Sequence, residues 1–353
     1  MIKLVFFLAF IIRILIIYLS QSITNFDLQS YLMIGKATLT GTNIYPHLAV
    51  IRYPYFPFFL YFQALAIYLE KFINPIIFLK ILVNIFDLGN GYLIFFLTNK
   101  NLKKTAFYLF NPASVLIFTF HGQFDALSIF FILLSIYFFK KEKELLATVS
   151  FALAIVIKVW PIFFLFIFLK SLKNKYFSSM IIVIIGVFVL IYSLLFHSPY
   201  FDIIKSVITY RSLFDFWGLG LLIKLIFFRN YSQTPLYVQK ISLYSFLLFF
   251  FIYSAHLSYQ KINIFEKINR LLLFFYIFTF GFSVQYLSWI IPFLVILDAK
   301  KFLIKTLGIT LYLIVNYGGW IEPLLISPIL SQTFGLVLWF GFFICWFSKN
   351  KAR

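Results

Sequence analysis

Eleven carboxylates serve 353 residues in this chain, so each acid can be weighed by itself. Glu142, Glu144, Glu266 and Asp298 stand among lysines in short polar turns and read as solvated partners of those lysines. Asp27 lies in Asn25-Phe26-Asp27-Leu28-Gln29-Ser30-Tyr31, directly after a long apolar run, and is followed by Gly41, Tyr45-Pro46 and Arg52-Tyr53-Pro54-Tyr55-Phe56-Pro57. Asp125 closes His121-Gly122-Gln123-Phe124-Asp125, wedged between two apolar runs. Glu70, Asp202, Asp215 and Glu322 fall in other polar breaks, and Asp87 interrupts an apolar run. A carboxylate anchored beside a membrane-length helix, with tyrosines and a cation near it, can take a proton from a hydroxyl. The competing structural roles are simple. Asp27 could be the N-cap of a helix running to about Leu39 and ended by Gly41, and Asp125 could cap the helix that it opens.

Two charges sit inside apolar runs, Arg13 in the first and Asp87 in the second. An isolated charge at the bilayer centre costs several kcal/mol, about 3 or more, so such residues pair or line a cavity. Their heights above the flanking polar turns match, and we expect a structural Arg13–Asp87 ion pair. Lys158, in Lys158-Val159-Trp160-Pro161, breaks another apolar stretch and should face protein or an anion, or else snorkel to the interface. His47, His121, His197 and His256 show no mutual ligand spacing, so no metal and no cofactor are expected; the one arrangement left open is a divalent ion shared by Asp27 and Asp125.

The elements that must position these residues are membrane helices. Apolar residues make up 63% of the chain and charged ones 12%, whereas soluble domains carry about 25% charged residues. The single cysteine, Cys345, lies in the last apolar stretch, which excludes a disulfide framework. The net charge of +19 suggests a nucleic-acid partner, but its distribution argues against one. Lysines fall in short clusters between spans, at 100–104, 140–143, 170–175, 300–305 and 349–353, which is the pattern of cytoplasmic loops.

Orientation by these clusters gives a first span at about 4–22, an external segment at about 23–74, and spans at about 75–97, 105–120 and 126–139. An apolar hairpin at about 145–169 breaks at Trp160-Pro161. A span at about 178–196, an external segment at about 197–236 and spans at about 237–256, 268–284, 286–298, 302–318 and 326–347 complete the path. The expected fold is therefore an all-α polytopic membrane protein of about twelve transmembrane helices, with both termini cytoplasmic and Asp27, Asp125 and their neighbours extracytoplasmic. It forms a single membrane domain over 1–353, in which about 1–215 carries the polar signals and about 216–353 adds further helices.

Taken together, the motifs resemble those of GT-C superfamily membrane mannosyltransferases of the GPI-anchor and phosphatidylinositol-mannoside pathways. Asp27, Gly41, Tyr45 and Arg52-Tyr53 are similar to their first luminal loop. Asn111-Pro112, Gly122-Gln123-Phe124-Asp125, Lys158-Val159-Trp160-Pro161 and Gln285-Tyr286-Leu287-Ser288-Trp289 with Pro292 look like further family features. The chain departs from the GPI branch in having Asn25 where that branch has the first acid of an Asp-x-Asp pair. The resemblance implies inverting transfer of a hexose, mannose first, from a polyprenyl-phosphate donor to a lipid-linked or glycan acceptor, with membrane lipids around it and no nucleic acid. It makes Asp27 the catalytic base. Donor and acceptor binding would then fall to Tyr31, Tyr45, Arg52, Tyr53, His121, Gln123, Asp125, Lys158, Arg211, Gln285 and Tyr286, with Arg52, Lys158 and Arg211 supplying cations for the phosphate. The alternatives are a transporter or lipid flippase, which would place polar groups at the midplane of repeated broken helices, and a non-catalytic membrane partner.

Overall fold

The computed structural model describes residues 1–45, 47–210, 212–321 and 328–351, so Pro46, Arg211 and Glu322 lie outside the described residues. The fold is all-α and polytopic; among the described residues the only β pairing is an isolated bridge between Leu213 and Phe282. Contacts divide the chain into two units, one of 1–162 with 171–210 and another of 163–170 with 211–353.

The first unit contains α1 (Ile2–Leu19), α2 (Phe26–Leu39), α3 (Leu48–Arg52), α4 (Phe59–Tyr68), α5 (Pro75–Leu97), α6 (Leu102–Leu109) and α7 (Pro112–Ser114). A π-helical turn over Val115–Phe120 continues α7, and α8 (Asp125–Lys140) and α9 (Glu144–Ile157) follow. A 3-10 turn over Trp160–Phe164 leads into α10 (Leu165–Ser171), which belongs to the second unit as far as Lys170, and the first unit resumes with α11 (Phe177–Phe196) and α12 (Tyr200–Thr209). The second unit holds α13 (Gly218–Phe227), α14 (Leu236–Tyr259), α15 (Ile264–Phe278), a 3-10 turn at Val284–Ser288, α16 (Ile291–Leu297), α17 (Ala299–Ile321) and α18 (Pro328–Lys351).

Among the described residues, five helices are long and apolar enough to cross a membrane: α1, α5, α11, α14 and residues 329–347 of α18. Of the other expected crossings, the one at about 302–318 falls within α17, and the rest fall on shorter or interrupted helices. The one at about 105–120 breaks at Asn111-Pro112, because proline lacks the N–H that would continue α6. The hairpin at about 145–169 breaks after Ile157, one residue pair before Trp160-Pro161.

The centre of the first unit is α5. Asn74 caps it by accepting from the Ile76 and Ile77 amides, and Pro75 sits at the first helical position, where its missing N–H costs nothing. Its buried polar residues Lys80, Asn84, Asp87 and Asn90 recur at helical spacing along one stripe. In α1, by contrast, only Ala9, Arg13 and Ile17 are buried. They lie one turn apart on the face toward α5, while Phe7, Leu15 and Leu19 are exposed, as a lipid-facing helix requires.

Midway along this contact, Arg13 Nε and Nη2 donate to Asp87 Oδ2 at 3.0 and 2.6 Å, and Arg13 Nη1 donates to the Ala9 carbonyl at 3.0 Å. Tyr108 Oη donates to the other carboxylate oxygen at 2.8 Å. Nearer the α1 C-terminus, Lys80 Nζ donates to Ser20 Oγ and Ser20 O at 2.8 and 3.2 Å. Thr119 Oγ1 donates to Asn84 Oδ1 at 2.6 Å, which binds the π-helical turn to α5.

α2, which carries Asp27, approaches α4 closely at Gly35. A Cβ at Gly35 would run into the backbone carbonyl of Gln63, and backbone cannot give way as a side-chain end can. Gly35→Ala should therefore separate the two helices and cost about 1–3 kcal/mol, as other overpacked interiors do. Thermal unfolding in detergent is the measurement, and an unchanged midpoint would show that the helices slide apart freely.

Candidate active site

Four segments that are distant in sequence meet at the end of the first unit opposite its Lys140–Lys143 turn. α1 ends at Ser20, which Lys80 holds, and Asn25 restarts the chain as α2. The Asn25 side chain accepts from the Leu28 amide at 2.9 Å and donates to the His121 carbonyl at 3.1 Å. Asn25 is thus the cap, and Asp27 is released from that structural role. It occupies the second helical position, where the helix dipole favours a negative charge.

Asp27 Oδ2 accepts from Gln123 Nε2 at 2.5 Å and lies 3.4 Å from His121 Nε2. Tyr31 Oη donates to Gln123 Oε1 at 3.3 Å, so the amide must present its NH2 to Asp27. Burial, then the charges of Asp27 and Asp125, push the Tyr31 phenol well above its ordinary value, so it stays a neutral donor. Asp27 Oδ1 accepts no hydrogen bond among the described residues. The Asp27 side chain is 35% exposed, whereas that of His121 is 3% exposed.

The π-helical turn brings His121 and Gln123 to this point. Asn111 caps the segment by accepting from the Ser114 amide at 3.2 Å. The His121 amide then reaches back to Leu116 O at 2.9 Å and that of Gln123 to Ile117 O at 3.1 Å, widening the helix before it ends. Gly122 has φ +86, and a Cβ there would press on Leu28 and the Lys80 stem. Both the backbone angle and the space require glycine.

Behind Asp27 lies a second, buried pair. Lys158 Nζ is 2.5 Å from Asp125 Oδ2, with both side chains almost wholly out of contact with solvent. Phe124 precedes the first residue of α8 and offers no side-chain cap, and the Asp125 carboxylate turns to Lys158. Lys158 follows α9 in extended backbone, and its ammonium lies 4.5 Å from the Phe124 ring centre and 5.4 Å from that of Tyr55. Phe124 stacks on Phe59 at 4.2 Å, and Ser128 Oγ ties α8 to α9 through Ala154 O at 3.0 Å.

Burial alone would raise the Asp27 pKa, but the His121 contact and charge, the Lys158 charge and the Gln123 amide outweigh it, and the carboxyl lies below its ordinary value of 3.8. The acid limb of activity due to Asp27 should accordingly fall below that value. In His121→Ala the largest opposing contribution is lost, so the pKa rises and the base is protonated at higher pH. A kcat/KM profile whose acid limb stays in place in His121→Ala would remove His121 from this role.

The other candidate positions are arranged as follows. Arg52 is half-buried, with Nη1 donating to Ser30 Oγ at 3.2 Å and its guanidinium 4.1 Å from the Phe26 ring centre. Tyr53 is fully buried; its hydroxyl donates to Phe56 O at 3.1 Å and accepts from the Leu60 amide at 3.0 Å. Tyr45 is also buried, donates to Tyr55 O at 2.5 Å and meets the Tyr192 ring edge-on. These hydroxyls therefore brace the loop beneath the site. Arg211 lies outside the described residues. Gln285 and Tyr286 belong to the second unit, where Tyr286 stacks on Trp289 and its carbonyl accepts from Tyr276 Oη at 2.7 Å. Asp215 accepts from the Thr234 amide at 3.0 Å.

Sequence reasoning overlooked Lys80, Asn84 and Tyr55. The spacing Lys80–Asn84–Asp87 carries a signal, since three polar residues on one face of an apolar run mark a packed seam. Tyr55 carries none, because nothing local tells a tyrosine that it will face Lys158. Among the described residues no three of His, Cys, Asp and Glu come together to hold a metal ion.

The sequence profile of glycosyltransferase family 87 matches residues 53–256, more than half of the 353. The match takes in Tyr53, His121, Gln123, Asp125 and Lys158 and begins downstream of Asp27. No curated protein matches the chain.

Proposed function

Since the chain belongs to glycosyltransferase family 87 and is a membrane glycosyltransferase, we propose that it transfers a hexose, mannose first, from a polyprenyl-phosphate donor to a hydroxyl of a lipid-linked or glycan acceptor. Asp27 is the general base. The observation that carries this reading is the division of labour within its carboxylate: Oδ2 is held by Gln123 beside His121, while Oδ1 accepts no hydrogen bond among the described residues on a side chain that is 35% exposed. An ionised carboxylate with one fixed and one free oxygen is oriented for a proton it has yet to receive.

In the step proposed, Asp27 takes the acceptor hydroxyl proton as that oxygen bonds to the anomeric carbon. The bond from this carbon to the phosphate oxygen breaks, its electron pair leaves with the polyprenyl phosphate, and the anomeric configuration inverts. Lys158 is committed to Asp125, so its charge acts on Asp27 through space. Arg52 spends a single N–H on Ser30 and is a cation available to the phosphate. Tyr31, His121 and Gln123 position the base. No resident metal is required in this scheme.

Sidedness supports the same reading. The Lys100–Lys104 and Lys140–Lys143 turns close α5, α8 and α9 at the ends opposite Asp27, Asp125 and Lys158. By the positive-inside rule the lysine turns are cytoplasmic and the site is extracytoplasmic.

The test is transfer by the purified protein in detergent, given a panel of polyprenyl-phosphate hexoses and nucleotide sugars, with the product anomer assigned by NMR. Inverted product from a polyprenyl-phosphate hexose is expected. Transfer from nucleotide sugars alone would overturn the donor, and solute or lipid flux in sealed vesicles without glycan product would favour a transporter.

A further inference from the structure

The second unit contains an apolar groove and a group of uncompensated cations that meet at one turn of α14. The groove, of about 630 Å3, runs between α13, α14 and α15 and is walled by Leu219, Phe249, Ile252, Tyr253, Phe274 and Phe278, with His256 among its lining residues. On α14, Phe249, Ile252, Tyr253 and His256 recur at helical spacing along one face. Trp346 of α18 packs edge-on against Tyr253, Phe274 and Phe278 and so backs the wall.

The cations gather where α14 ends. Lys267 Nζ donates to Ser258 O at 2.8 Å. Lys170 Nζ lies 4.4 Å from the Tyr259 ring centre, and His256 Nε2 is 2.8 Å from Gln260 Nε2. Lys267 also lies on the same face of α15 as Phe274 and Phe278, seven and eleven positions on. Neither lysine forms an ion pair among the described residues, and the neighbouring Glu266 is engaged by Arg270 at 2.9 Å. Burial, then the charge of Lys170, hold the Lys267 ammonium below the ordinary lysine value. Two ammonium groups that repel one another beside a hydrocarbon groove form a site lacking its anion.

We propose that this is a binding site for an anionic phospholipid, with one hydrocarbon chain in the groove and the phosphate across Lys267, Lys170 and His256. A soluble anion would leave the ring-lined groove unused. A zwitterionic lipid would bring its own cation to a site that already has an excess of them. The location is consistent with a lipid ligand, since α14 is long and apolar enough to cross a membrane.

The experiment reconstitutes the full-length protein in nanodiscs of phosphatidylcholine with and without phosphatidylglycerol and identifies retained lipid by native mass spectrometry. Preferential retention of phosphatidylglycerol is expected. Lys170→Gln with Lys267→Gln should reduce that preference about 10- to 30-fold, at the usual contribution of two lysines near an anionic surface. Ile252→Trp fills the groove and keeps both lysines, so it should abolish retention; it decides the matter if the charge variant fails to fold. Equal retention of both lipids, or a preference untouched by either change, would overturn the proposal. So would displacement by inorganic phosphate, which would make this a plain anion site, or selective retention of a polyprenyl phosphate, which would make it a donor-chain groove.

Discussion

Asp27→Asn should lower kcat about 100- to 10,000-fold, the range that a positioned general base contributes, with folded yield and donor affinity close to wild type. The amide oxygen of asparagine can still accept from Gln123, so the cluster around Oδ2 keeps its shape while the open position loses its basicity. Asn25 remains the cap of α2, and for this reason the substitution should leave stability almost unchanged. Single-turnover transfer with donor in excess, alongside a donor-binding isotherm, separates the two effects. Asp125→Asn serves as the contrast: it strands the buried Lys158 ammonium and should reduce folded yield first. A rate near wild type in Asp27→Asn would leave Asp27 as an ordering residue and move the base elsewhere.

Asp87→Asn should destabilise the protein by about 3–5 kcal/mol, because removing one member of a buried pair leaves the other charge without compensation. Arg13 and Asp87 are 1% and 0% exposed, and α1 and α5 meet around them with Tyr108 completing the carboxylate's hydrogen bonds. Loss of monodisperse protein on extraction is the direct readout, and surviving molecules should transfer sugar at close to the normal rate. The triple change Arg13→Leu, Asp87→Leu and Tyr108→Phe removes the ion pair and the phenol that serves it together, and similar-volume apolar replacements of buried pairs are often neutral. It should recover most of the lost yield. If the triple variant is as unstable as Asp87→Asn, the seam contributes something beyond charge compensation.

The membrane class and the positions of most helices were legible in the residues alone. Apolar run length, lysine clusters, and Asn, Pro and Gly at helix boundaries act within a few residues, so they can be read in order along the chain. The helix expected from Asp27 to about Leu39 with Gly41 beyond it is α2, and Gly41 has φ +73. The family was legible only to the level of a membrane glycosyltransferase. The choice of mannose and of the GPI-like branch depended on loop motifs whose partners are not contiguous.

The tertiary structure decided which polar residues meet. Asp27 and Gln123 are 96 positions apart and Lys158 and Asp125 are 33 apart. No local preference distinguishes these pairings from others of equal chemistry. Asn25 and Asp27 were equally able to cap α2, and the cap went to Asn25 because its amide could also reach the His121 carbonyl. The tyrosines that composition offered to a sugar were divided by packing: Tyr45 and Tyr53 became buried braces and Tyr31 became the orienter of Gln123. In hydrocarbon surroundings an unpaired polar group is costly, so each such residue takes whatever partner the helix packing brings within reach. Chain order specifies the helices, and the geometry of their packing specifies the site.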